Sequence, residues 1–220
     1  MMNIKSLIFI FLLPLSLTLA CGKEHHNESA HLNNTLNAEQ EEKSSSGFYR
    51  AILRPLNIQL SGFIPSGIAE IKITEKDDEV KVITFLDDDA KVTHVQNIHT
   101  GKRCPNLTDD KNQDGFIDIN EAIKASGSEM IPLDDDLNSA DAGKGIYPKG
   151  SGFTYTKKAS LKQLLKDTYA RKKQPLNLHG RVILMRGAAP GSNIPQSVTT
   201  HEGQTKEFTI PVVCGIFLKN

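Results

Sequence analysis

Apolar and polar side chains alternate one for one over several short runs of this 220-residue chain. Leu56, Ile58 and Leu60 are separated by Asn57 and Gln59; Ala69, Ile71 and Ile73 by Glu70 and Lys72; Val80 and Val82 by Lys81. Successive side chains of an extended strand point to opposite faces, so each run predicts a strand with one packed and one wet face. Residues 182–185 and 210–218 are nearly continuous apolar stretches that predict further strands near the C-terminus. Short strands broken by turns predict an all-β antiparallel sandwich or barrel. One helix pattern interrupts them: Ser160 and Gln163 read as a capping box ahead of Leu161, Leu164, Leu165 and Tyr169 on one face, a crossover late in the chain. No internal repeat is seen.

The N-terminus reads as an address. After a single charge at Lys5, residues 7–20 are apolar apart from Pro14, Ser16 and Thr18, and Cys21 follows directly. The stretch is too short to span a bilayer and has the order of a secretory signal. Leu17-Thr18-Leu19-Ala20-Cys21 resembles the lipobox of bacterial lipoproteins, which implies cleavage after residue 20 and a diacylglyceryl group on Cys21; the other reading is an ordinary signal with an incidental cysteine. Gly22, where an aspartate would signal retention, implies the outer membrane, facing the periplasm. Residues 21–47 have only Leu32 and Leu36 as large apolar side chains and predict a flexible tether. His25, His26 and His31 within it are either solvated spacer or a loose site for Zn²⁺ or Cu²⁺. The folded domain is then residues 48–220. Its partners are not set by bulk charge: 26 basic and 26 acidic residues cancel, which leaves no field to hold nucleic acid.

Residues 110–121 carry the sharpest local signal. Asp110, Asn112, Asp114, Asp118 and Glu121 occupy positions 1, 3, 5, 9 and 12 of a twelve-residue loop with Gly115 at position 6. Ca²⁺ takes six or more hard oxygens from a tightly wrapped chain, and this spacing supplies them, with the Phe116 backbone carbonyl at position 7 and both oxygens of Glu121. The competing reading is an acidic surface turn. The flanks differ from a regular EF-hand, because Pro105 forbids a long entering helix, the exiting helix of about residues 120–126 stops at Gly127, and no second loop exists to pair with. These departures predict a structural ion rather than a sensor.

The domain resembles Cu,Zn superoxide dismutase along most of its length. Asn97-Ile98-His99 followed five residues later by Cys104 is similar to that family's His-Ile-His and disulfide cysteine; Gly180 to Arg186 is similar to its glycine-arginine strand, and Val213-Cys214-Gly215-Ile216 to its closing motif. Asp136-Leu137 looks like the pair whose aspartate binds zinc, or is simply part of the acidic turn Asp134-Asp135-Asp136. The resemblance implies a Greek-key sandwich, and extends to bacterial proteins in which the same sandwich carries a calcium loop. It also implies loss of the copper site, since Asn97 and Arg186 stand where histidines should be and Pro211 replaces the guiding arginine. With Cys21 assigned to lipid, Cys104 and Cys214 remain as a pair for a disulfide in an oxidising compartment.

The expected function is a calcium-binding, lipid-anchored protein of the cell envelope with a structural or binding role, no catalytic residues and an unnamed protein or small-molecule partner. The alternative is a metal-dependent enzyme with a remodelled site using His94, His99 or His179, or acid-base chemistry on the Asp134-Asp136 turn. Convergence of the three histidines separates the two.

Overall fold

The computed structural model describes residues 46–60, 64–140 and 145–220. The signal segment, Cys21 and the tether up to residue 45 lie outside the described residues. The strands are β1 (Gly47–Pro55), β2 (Ser66–Thr74), β3 (Glu79–Asp87), β4 (Val92–Thr93), β5 (Val95–His99), β6 (Glu129–Pro132), β7 (Lys149–Gly150), β8 (Phe153–Ser160), β9 (Val182–Arg186), β10 (Pro211–Ile216) and β11 (Leu218–Lys219). Among the described residues three α-helices accompany them: α1 (Ile119–Ser126), α2 (Leu161–Lys172) and α3 (Lys206–Thr209). The fold is all-β, with one antiparallel sheet in the order β6-β5-β9-β10-β1-β2-β3-β8 curling into a half-barrel. β11 also pairs with β1, and β4 and β7 form a separate small ribbon.

β1 belongs to both halves of the sheet. Its first seven residues pair with β2, and Arg54 and Pro55 pair with β10. Tyr49, Ala51 and Leu53 point inward while Arg50, Ile52 and Arg54 stay exposed, the alternation a half-covered strand demands. The inward side chains join Ile71, Val82 and Leu86 from one half and Ile98, Ile183, Met185 and Val213 from the other in a single core. α2 carries the chain from β8 at one end of the sheet to β9 in the other half and adds Leu161 and Leu164 to that core.

Two local expectations need correction. Residues 56–60 are not a strand but a turn ending in the 3₁₀ segment Ile58–Leu60. The Leu56 amide still reaches the Val212 carbonyl of β10, and the chain then leaves the ladder at Asn57, whose φ of +51° is the left-handed conformation that asparagine tolerates. The capping box of α2 is only half formed. Ser160 accepts from the Gln163 amide at 3.2 Å, but the Gln163 side chain turns forward to Asp167, and Asp78 takes the Lys162 amide and the Ser160 hydroxyl instead.

Candidate metal centre

The loop opens on a 3₁₀ turn, Leu107–Asp109, in place of a helix. Asn106 accepts from the Thr108 amide, Asp109 accepts from the Asn106 amide, and Arg103 grips the Asp109 carboxylate with both terminal nitrogens at 2.7 and 2.8 Å. That pairing holds the Asp109 carboxyl below its ordinary range. From Asp110 onward the backbone amides turn inward onto side-chain oxygens. Asp110 accepts from the amides of Asp114 (3.3 Å) and Gly115 (2.8 Å), Asn112 from Asp114 (3.1 Å), and Asp114 from Phe116 (2.9 Å). Gly115 sits at φ +84°, where a side chain would be strained, so the sharp bend at position 6 has the residue it needs.

The far end closes on the near end. Asp118 and Glu121 form a reciprocal capping box at the start of α1, each carboxylate accepting the other's backbone amide at 2.9 and 3.0 Å. The second Glu121 oxygen accepts from the Lys111 amide at 2.6 Å, which ties position 12 to position 2. The polar groups of the loop named above present only oxygen acceptors, four carboxylates, the Asn112 carboxamide oxygen and the Phe116 carbonyl, the kind of oxygen that hard cations such as Ca²⁺ take. Among the described residues no three Asp, Glu, His or Cys side chains gather into a ligand cluster; the loop carboxylates are held by backbone amides along the wrapped chain.

Asn57 and Gln59, the polar residues of the misread alternation, anchor the loop to the sheet. The Asn57 carboxamide accepts from the Ile117 amide at 2.7 Å and donates to the Ile117 and Pro211 carbonyls at 2.9 Å, and Gln59 donates to the Gly115 carbonyl. Beneath the loop, Ile117, Ile119 and Ala122 pack on Val182, Leu184 and Cys214. Cys104 and Cys214 are joined, with Cα atoms 5.9 Å apart, so the chain just before the loop is bonded to β10. Pro55-Leu56-Asn57 carried the turn signal that would have relocated Asn57; no local signal marks its distant partners.

Asn97 and Arg186, both buried, share a polar network with Glu129. Glu129 accepts from Asn97 and from Arg186, both at 3.0 Å, and Arg186 is 2% exposed. Sequence reasoning missed Glu129, which only the β5–β6 pairing brings beside β9. His99 sits by the Gly127 carbonyl (2.8 Å) and the Ser126 hydroxyl (3.3 Å), and burial pushes its pKa down. His94 is buried against Phe153 with Asp88 at 3.7 Å, and burial lowers its pKa too. His179 accepts from the Lys219 amide. The structure thus holds the three histidines on three separate sets of partners. Asp134 to Asp136 make a turn in which each carboxylate accepts a backbone amide, and burial followed by the neighbouring aspartates raises the Asp134 pKa.

An open groove of about 1060 Å³ runs between β1 and the flank of the loop. Ile52 (63% exposed), Ile58, Leu107 (71%) and Leu218 line it, with Arg54 alongside. No protein-family model matches the chain, and no curated protein does.

Proposed function

We propose that this is a calcium-stabilised protein of the bacterial cell envelope, anchored by lipid on Cys21, whose superoxide dismutase-like sandwich has exchanged a copper site for a structural ion loop. The observation that carries the reading is the closed twelve-residue loop, in which Glu121 holds the amide of Lys111 and so brings the two ends together. Bound Ca²⁺ would neutralise carboxylates that otherwise repel. Asp110, Asn112, Asp114 and Glu121 offer side-chain oxygens and Phe116 its carbonyl, while Asp118, already holding Glu121 and Thr199, acts through water. Gly115 bends the chain, and Ile117 seats it on the sheet.

The binding role belongs to the groove beside the loop, because a cluster of exposed large apolar side chains on a soluble domain marks an interaction face. The enzyme alternative has less support: Arg186 is committed to Glu129, and His94, His99 and His179 do not share a site. Calorimetric titration of the mature chain with Ca²⁺ tests the reading, with a dissociation constant expected in the roughly 10⁻⁴ to 10⁻³ M range of extracellular modules. Absence of heat in the wild type, or unchanged binding in Glu121→Gln, refutes it. Cys21→Ser should release the protein from membranes or leave its precursor uncut, and recovery of native protein from the soluble periplasm refutes the anchor.

A further inference from the structure

A segment remote in sequence holds the loop from its other side. Between β9 and α3, Val198 is buried in the main core, which fixes the chain at that point. Lys206 holds the preceding stretch by donating to the Pro195 carbonyl at 2.7 Å. The chain turns at Gln196 and Ser197, with the Val198 amide on the Pro195 carbonyl, and on either side of Val198 both Ser197 and Thr199 reach the loop. Ser197 donates its hydroxyl to Asp114 at 2.6 Å, and its carbonyl accepts from the Asn112 carboxamide at 3.3 Å. Thr199 donates both its amide and its hydroxyl to one oxygen of Asp118, and its hydroxyl accepts from Asn120 at 2.9 Å. The contacts fall on positions 3, 5, 9 and 11 of the loop.

We propose that Ser197 and Thr199 are positioning residues of the cation site, standing in for the paired loop that a regular hand would have, and that the ion in turn orders this strap. The inference rests on the calcium reading above. Its physical basis is the state of the two aspartates. Asp114 has one oxygen on the Phe116 amide and the other held by Ser197 and Asn112, and Asp118 has one on the Glu121 amide and the other on Thr199. Without the two hydroxyls these carboxylates are freer to turn toward water, and the cost of ordering them falls on ion binding. Loss of partners that orient a ligand characteristically weakens metal affinity by roughly 10- to 100-fold. Coupling is reciprocal, so an ion that needs the strap must also stiffen it.

The test is calorimetric titration of the mature chain with Ca²⁺ for the wild type, Ser197→Ala/Thr199→Val, Thr199→Ser and Glu121→Gln, together with amide exchange at residues 197–199 of the wild type with and without Ca²⁺. The double variant should raise the dissociation constant about tenfold or more, Thr199→Ser should remain near wild type, and the Thr199 amide should exchange more slowly with the ion. If the double variant fails to fold without Ca²⁺, the exchange measurement on the wild type decides. A wild type that binds Ca²⁺ while the double variant binds equally well, or while exchange at Thr199 is indifferent to the ion, overturns the strap and leaves the loop reading intact. A wild type that takes up no Ca²⁺ overturns both.

Discussion

β2 and β3 bury every second side chain along most of their length, whereas β5 and β9 are buried at every position. The difference lies in what covers the outer face. Over β2 and β3 it is water, met by Lys72 and by ion pairs such as Lys158 with Glu79 and Arg50 with Glu70. The outer face of the other half carries the loop of residues 110–121 and α1, packed on Val182, Leu184 and Cys214. One half is thus stabilised by a single core, and the other by a core and a second layer attached by a disulfide and by the Asn57 hydrogen bonds, with the Arg186–Glu129 ion pair between strands of the same half. Covalent and polar attachments should therefore matter far more to the second half than surface charge matters to the first.

The largest expected effect comes from the disulfide. It closes 110 residues of chain, and its loss should cost up to about 4 to 5 kcal/mol in the chain-entropy model. Urea unfolding of Cys104→Ser/Cys214→Ser beside the wild type measures this, and an unchanged midpoint would break the comparison. Next is Glu129→Ala, which strands the buried Arg186 charge and should cost about 3 kcal/mol. Glu129→Leu/Arg186→Met should recover most of that loss, because an apolar pair of similar volume removes the uncompensated charge. Asn57→Ala removes three buried hydrogen bonds, two to Ile117 of the loop and one to Pro211 of β10, and should cost about 2 kcal/mol. By contrast Lys72→Ala, on the wet face of β2, should change stability by no more than about 0.5 kcal/mol.

A pH series sharpens the same contrast. His99 is buried beneath the second layer, and burial holds its folded pKa below the ordinary histidine value. The unfolded chain then binds a proton near pH 6.5 that the folded chain refuses, so stability is complete above about pH 6.5 and falls as pH drops toward the lower folded value. His99→Gln should flatten that part of a stability profile. An unchanged slope would mean that His99 is not held neutral.

The same difference explains what was legible in the sequence. β2 and β3 show the period-two pattern because one face is wet, and the apolar runs of β9 and β10 stand out because neither face is. The run from Leu56 to Leu60 shows the same pattern for another reason: Asn57 is buried against the loop, and Gln59, though exposed, donates to it. β1 and β8 were missed because Ile52 on the outer side of β1 and Lys157 on the inner side of β8 blur the alternation, and β5 because its inward and outward faces mix Gln96, Asn97 and His99 with apolar residues. The loop residues were legible because their spacing is local. Glu129, Ser197 and Thr199 were not, since they reach their partners only through β-pairing or a long return of the chain.

The central claim is that the layer over β9 and β10 is built around an ion, and the most direct measurement is the melting temperature of the mature chain, freed of metal by chelation, against Ca²⁺ concentration. Binding to the folded state alone raises stability by RT ln(1 + [L]/Kd), so the account predicts a transition that climbs with Ca²⁺ in the wild type and stays flat in Glu121→Gln. A wild-type melting temperature that does not respond, or a Glu121→Gln variant that responds equally, would contradict it.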